Sequence, residues 1–170
     1  DLKPSNCLFK TKFKSNTHIT SLSTISNIPT LLVSDFGESI TLDHKRQREI
    51  DRSGATGTIE YCAPELLSIN ELTGKLNDFD YSSDIYSLGM ILYYLCFGKL
   101  PYKTDNLVKE EILNGELFNE LRNQQTNLEL MQDWIPLIES MVDLNPFMRP
   151  NVDEILVKLE SITNKLEKLS

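Results

Sequence analysis

Between residues 85 and 97 the chain reads Ile-Tyr-Ser-Leu-Gly-Met-Ile-Leu-Tyr-Tyr-Leu-Cys-Phe, an apolar run interrupted only by Ser87 and Gly89. It is too short to span a bilayer, which takes ~20 residues of helix. A helix apolar on nearly every face belongs at the centre of a domain. Ser82 or Ser83 can cap its start, and Gly98-Lys99-Leu100-Pro101-Tyr102 ends it. The remaining elements must therefore wrap this helix. The chain has 170 residues, 40% of them hydrophobic, enough for one domain with a real core.

The wrapping elements are mostly helical. Pro64-Glu65-Leu66-Leu67 starts a short helix with Pro in the first turn, where its missing N–H costs nothing. Residues 77–81 form a polar linker, and residues 105–114 suggest another short helix stopped by Asn114-Gly115. Residues 134–142 show helical spacing (Ile135, Ile138, Met141, Val142) that Asn145-Pro146 breaks. Residues 152–169 form a final amphipathic helix with Val152, Ile155, Leu156, Leu159, Ile162 and Leu166 on one stripe. Two short strands come first, Asn6-Cys7-Leu8-Phe9-Lys10 and Thr30-Leu31-Leu32-Val33-Ser34. The stretch between them, residues 10–30, is rich in Ser, Thr, Lys and Asn and reads as a surface-loop insertion. Residues 38–57 are polar without pattern. The expected fold class is mainly α, with a β-hairpin at the start.

The net charge of −8 argues against nucleic acid or an anionic membrane as partner. Cys7, Cys62 and Cys96 are widely separated and odd in number, which fits neither a zinc site nor a disulfide framework and points to a reducing compartment. The polar opening residues, interrupted by Pro4, do not form a signal peptide. The expected location is intracellular, in the cytoplasm or nucleus, with no membrane span.

Three motifs occur in a fixed order: Asp1-Leu2-Lys3-Pro4-Ser5-Asn6, then Ser34-Asp35-Phe36-Gly37, then Gly57-Thr58-Ile59-Glu60-Tyr61-Cys62-Ala63-Pro64-Glu65. A carboxylate and an amide oxygen are hard donors suited to Mg²⁺. In order and spacing these motifs resemble the catalytic loop, metal loop and substrate loop of eukaryotic protein kinases, and the resemblance covers nearly all of residues 1–170. It implies the C-terminal lobe of a kinase, with residues 35–65 as the activation segment and residues 10–30 as an insertion.

The resemblance implies ATP-dependent phosphorylation of serine or threonine in protein substrates, with ATP and Mg²⁺ as cofactors. Asp1 corresponds to the base-like carboxylate and Lys3 to the phosphate-pairing ammonium. Asn6 and Asp35 correspond to the metal ligands, and Lys3, Ser5, Asn6, Leu8 and Asp35 to the nucleotide site, with Leu8 beneath the adenine. Lys3 and the Gly57-Thr58 pair are similar to the serine/threonine branch, and Thr58 is expected to hydrogen-bond Asp1 and Lys3. Glu65 and Arg149 correspond to the family's buried ion pair. Asp84 corresponds to the aspartate that holds the catalytic-loop backbone. Tyr86 stands where Trp is commoner, and Asn145 where Asp is common. Ser53 and Thr56 are candidate phosphorylation sites, because Gly54 occupies the usual position. No glycine-rich loop, ATP-anchoring lysine or glutamate partner is present, so the N-terminal lobe is absent from the sequence. The expectation is a fragment of a longer kinase, inactive alone and exposing apolar surface where a preceding helix would lie. The competing expectation is a truncated lobe that scaffolds a partner without catalysis.

Overall fold

The apolar run does form the central helix. In a computed structural model, which describes residues 1–10, 30–37, 39, 57–68, 80–102, 108–115 and 131–169, helix α2 spans Ser82–Phe97. The other elements are strands β1 (Cys7–Phe9) and β2 (Leu31–Val33), and helices α1 (Pro64–Leu67), α3 (Val108–Leu113), α4 (Met131–Met141) and α5 (Val152–Leu169). Single 3₁₀ turns lie at Pro4–Asn6, Ile59–Tyr61 and Pro146–Met148. The architecture is mostly helical with one two-stranded sheet, as expected for a kinase-like fold. Residues 11–29, and with them most of the expected insertion, lie outside the described residues.

Helix α2 joins two apolar clusters. One face brings Tyr86, Met90 and Tyr93 against Cys62, Ala63, Leu67, Val108, Ile112, Ile138 and Val142. Another brings Ile85 against Leu137, Met141, Ile155 and Ile162. The crossing with α4 is close because of Gly89. A Cβ there would lie 2.7 Å from Val142 Cγ1 and 2.9 Å from Met141 Cβ, well inside contact distance. Gly98 ends α2 in the left-handed region at φ 70, its N–H donating to Tyr94 O at 2.8 Å.

Several local expectations are corrected. Neither Ser82 nor Ser83 caps α2. Tyr81 holds the N-cap position with no side-chain cap bond, preceded by Asp80, whose Oδ1 accepts from Ser82 N at 2.7 Å, while the buried Ser83 hydroxyl donates to Glu65 Oε1 at 2.7 Å. Ser83 is committed to that buried carboxylate, while Ser82 Oγ is buried without a partner among the described residues. Nor is α2 apolar-buried on every face: Tyr94 and Leu95 are exposed among the described residues. Helix α4 begins three residues earlier than its spacing suggested and carries Pro136 inside it. On α5 the core stripe narrows to Ile155, Leu159, Ile162 and Leu166, while Val152 and Leu156 are exposed.

The hairpin is antiparallel, with Cys7 opposite Val33, Leu8 opposite Leu32 and Phe9 opposite Leu31. Lys10 N donates to Thr30 O at 2.9 Å and Ser34 N to Asn6 O at 2.8 Å, extending the pairing beyond both ends. Its function in the fold is positional. It holds the segment ending at Asn6 beside the segment beginning at Asp35.

Candidate active site

Asp1 is gripped through both carboxylate oxygens. Lys3 Nζ lies 2.8 Å from Oδ2, and Thr58 N donates to Oδ1 at 2.9 Å. Lys3 Nζ also donates to Thr58 Oγ1 at 2.7 Å. Residues 1, 3 and 58 thus close a ring of charge-assisted hydrogen bonds across a long stretch of chain. The 3₁₀ turn Pro4–Asn6 sets the near side of this ring, with Asn6 N donating to Lys3 O at 3.0 Å. The buried Asn6 side chain closes the turn, Nδ2 donating to Asp1 O at 2.9 Å. Gly57 makes the far side possible. Its φ is 102, and a Cβ there would sit 3.2 Å from Asp1 Oδ1.

Asp35 is the one non-glycine residue with positive φ among the described residues, at 61. An aspartate tolerates this region better than most, at a cost of roughly 1–3 kcal/mol. The bend turns an exposed carboxylate outward, with Gly37 N reaching Oδ1 at 3.4 Å. Ser34, the preceding residue, donates from both N (2.8 Å) and Oγ (3.1 Å) to Asn6 O. The Asn6 amide and the Asp35 carboxylate therefore come from hydrogen-bonded neighbours. No cluster of three or more His, Cys, Asp or Glu side chains that could hold a metal occurs among the described residues. One carboxylate plus one amide is nevertheless a sufficient protein share for Mg²⁺, which keeps positions for phosphate and water. The residues fit the ion.

Behind the site a second ionic assembly anchors the 57–68 segment. Arg149 donates from Nη1 to Glu65 Oε1 at 2.7 Å and from Nη2 to Oε2 at 2.8 Å. It also donates to Asp143 O at 2.8 Å and Ser82 O at 3.0 Å, and its guanidinium lies 5.1 Å from the centre of the Tyr86 ring. The arginine side chain is fully buried and Glu65 nearly so. Asn145, in place of the commoner aspartate, accepts from Phe147 N through Oδ1 at 3.1 Å and caps the adjoining 3₁₀ turn as an amide.

A protein kinase domain profile matches residues 1–159. This chain belongs to the eukaryotic serine/threonine protein kinase family. It is 31% identical over 175 residues to a probable serine/threonine-protein kinase, iksA, of Dictyostelium discoideum, covering 92% of this chain and 17% of that protein. It is 32% identical over 158 residues to a calcium and calcium/calmodulin-dependent serine/threonine-protein kinase of Lotus japonicus, covering 92% of this chain and 25% of that protein. A probable cell cycle serine/threonine-protein kinase, a CDC5 homolog, of Encephalitozoon cuniculi is 32% identical over 127 residues, 73% of this chain and 24% of that protein. The chain spans a quarter or less of these relatives' lengths.

Other kinase positions fall as follows. Leu8 is exposed on β1, opposite an exposed Leu32. Ser5 lies beside Pro4 on the wall of an open cavity. Asp84 is exposed in the first turn of α2, a position where its charge favours the helix N-terminus. Ser53 and Thr56 lie outside the described residues.

Two supporting residues escaped sequence reasoning. Ser87 Oγ donates to Tyr61 O at 2.8 Å, and Tyr102 OH donates to Glu60 O at 2.9 Å. Together they fasten the Ile59–Tyr61 turn to α2 and to the segment after it. Ser87 had a visible signal, a hydroxyl inside an apolar run. Tyr102 had none. Burial pushes the Tyr102 phenol far up, and likewise the fully buried Tyr86 phenol. Burial also raises the Cys62 thiol.

Proposed function

We propose that this chain forms the C-terminal lobe of a protein kinase and supplies the groups that transfer the terminal phosphoryl of ATP to serine or threonine hydroxyls of protein substrates. The observation that carries this reading is the ring of Asp1, Lys3 and Thr58. It fixes a carboxylate beside an ammonium and ties both to the loop that would carry a substrate. Asp1 orients the substrate hydroxyl and takes its proton as the oxygen–phosphorus bond forms and the bond to the leaving ADP breaks. Lys3 offsets charge on the transferred group. Asn6 and Asp35 would hold Mg²⁺, which supplies charge neutralisation along the phosphates. Leu8 offers the adenine an apolar floor. The remaining nucleotide contacts would come from the glycine-rich loop and lysine that the family carries and this sequence lacks.

The test uses the protein tagged at its own chromosomal locus and purified natively, so that whatever accompanies these residues is present. Mg²⁺-dependent transfer of phosphate to serine or threonine of a protein substrate is expected. The Asp1→Asn variant loses at least about a hundredfold of that rate. Equal transfer by both proteins refutes the assignment.

A further inference from the structure

Beside the Asp1–Lys3–Thr58 ring lies an open cavity of about 480 Å³. Among the described residues its walls are Lys3, Pro4, Ser5, Thr58, Tyr61 and Tyr94. Two walls come from the site itself, since Lys3 and Thr58 belong to both. The other side is built by the Ile59–Tyr61 turn and by the exposed edge of α2 at Tyr94.

Among the described residues this wall holds no carboxylate. Its single formal charge, Lys3, is already matched by Asp1 at 2.8 Å. A proline ring and two tyrosines supply most of the rest, and the two phenols are close enough for Tyr94 to raise the Tyr61 phenol in addition to its burial. The whole chain carries a net charge of −8, which favours basic peptides at long range. That charge is not in this wall. An arginine or lysine entering here would shed water beside an ammonium and meet no anion. An apolar side chain would instead cover the proline and tyrosine rings.

Resting on the phosphotransfer reading above, we propose that this cavity receives an uncharged, apolar side chain of the protein substrate, and that Tyr94 determines that preference. The site and the cavity share Lys3, and an extended peptide advances ~3.3 Å per residue. The side chain concerned therefore lies within about three residues of the serine or threonine that accepts phosphate.

The natively purified protein is assayed with Mg²⁺–ATP on peptides bearing a central serine or threonine, with each flanking position fixed in turn to Leu, Phe, Arg, Lys or Asp. At one position within three of the acceptor, Leu or Phe is expected to be phosphorylated about fivefold or more faster than Arg or Lys. A Tyr94→Glu variant places a carboxylate in the wall at an already exposed position. It is expected to move the Arg-to-Leu ratio at that position by about tenfold toward Arg, leaving the ratios at other positions unchanged. The wild-type profile stands as a test even where the variant fails to fold. A preference for Arg or Lys at every position within three of the acceptor overturns the proposal. So does a flat profile there, or a folded Tyr94→Glu variant with the wild-type profile. Failure to phosphorylate any peptide or protein defeats the phosphotransfer reading, and this proposal with it. Transfer with the wrong profile defeats this proposal alone.

Discussion

Asp1 depends on a residue with no side chain. Gly57 adopts φ 102 and leaves only enough room for the carboxylate that Thr58 N reaches. Gly57→Ala should strain the backbone by roughly 1–3 kcal/mol and push Asp1 out of register. We expect phosphotransfer to fall by roughly a hundredfold, the loss typical of a displacement near 1 Å, while circular dichroism stays native. An unchanged rate in a folded variant refutes this role. Arg149 is the other residue on which much rests. Arg149→Met leaves Glu65 buried without its partner, which should cost about 3–5 kcal/mol in urea unfolding; a cost under about 1 kcal/mol contradicts the burial. The motif residues were legible in the sequence because the chemistry restricts their types and spacing.

At the scale of elements, the informative positions were the two that spoil the apolar run. Ser87 and Gly89 look like weak points of a core helix, yet one fastens the Ile59–Tyr61 turn and the other admits α4. Gly89→Ala should therefore overpack the α2–α4 crossing and destabilise by about 1–3 kcal/mol. Gly98 tests the distinction, because a Cβ there meets nothing within 4 Å but φ is 70. Gly98→Asn should be tolerated better than Gly98→Ala, since asparagine accepts the left-handed region. Gly89→Asn should be worse than Gly89→Ala. Thermal unfolding of the four variants decides it, and equal ranking at both sites refutes the division into steric and conformational causes. The existence of α2, α3, α4 and α5 was legible from periodicity. Their ends were not, because the Asp80–Ser82 bond before α2 and the three extra residues of α4 depend on neighbours the pattern does not encode.

For the whole molecule, the buried phenols of Tyr86 and Tyr102 set an alkaline limit. Both stay protonated in the folded state far above the ordinary value of 10.0. Their contribution is fully present below pH 10.0, where the unfolded chain is also neutral. Above it the unfolded chain ionises and the folded one does not, so stability falls by up to about 1.4 kcal/mol per pH unit for each phenol. Cys62 acts with the same sign from its ordinary 9.0. Phenolate absorbance of these two tyrosines should rise together with loss of helical signal; ionisation well before unfolding contradicts the burial. No helix of the described residues is long and apolar enough to cross a membrane. The bidentate lock between residues 65 and 149 has a temporal consequence as well. On the ribosome, the glutamate emerges 84 positions ahead of the arginine it needs. The segment that would recognise a target protein therefore has to wait, its acid still in water, until position 149 has been made.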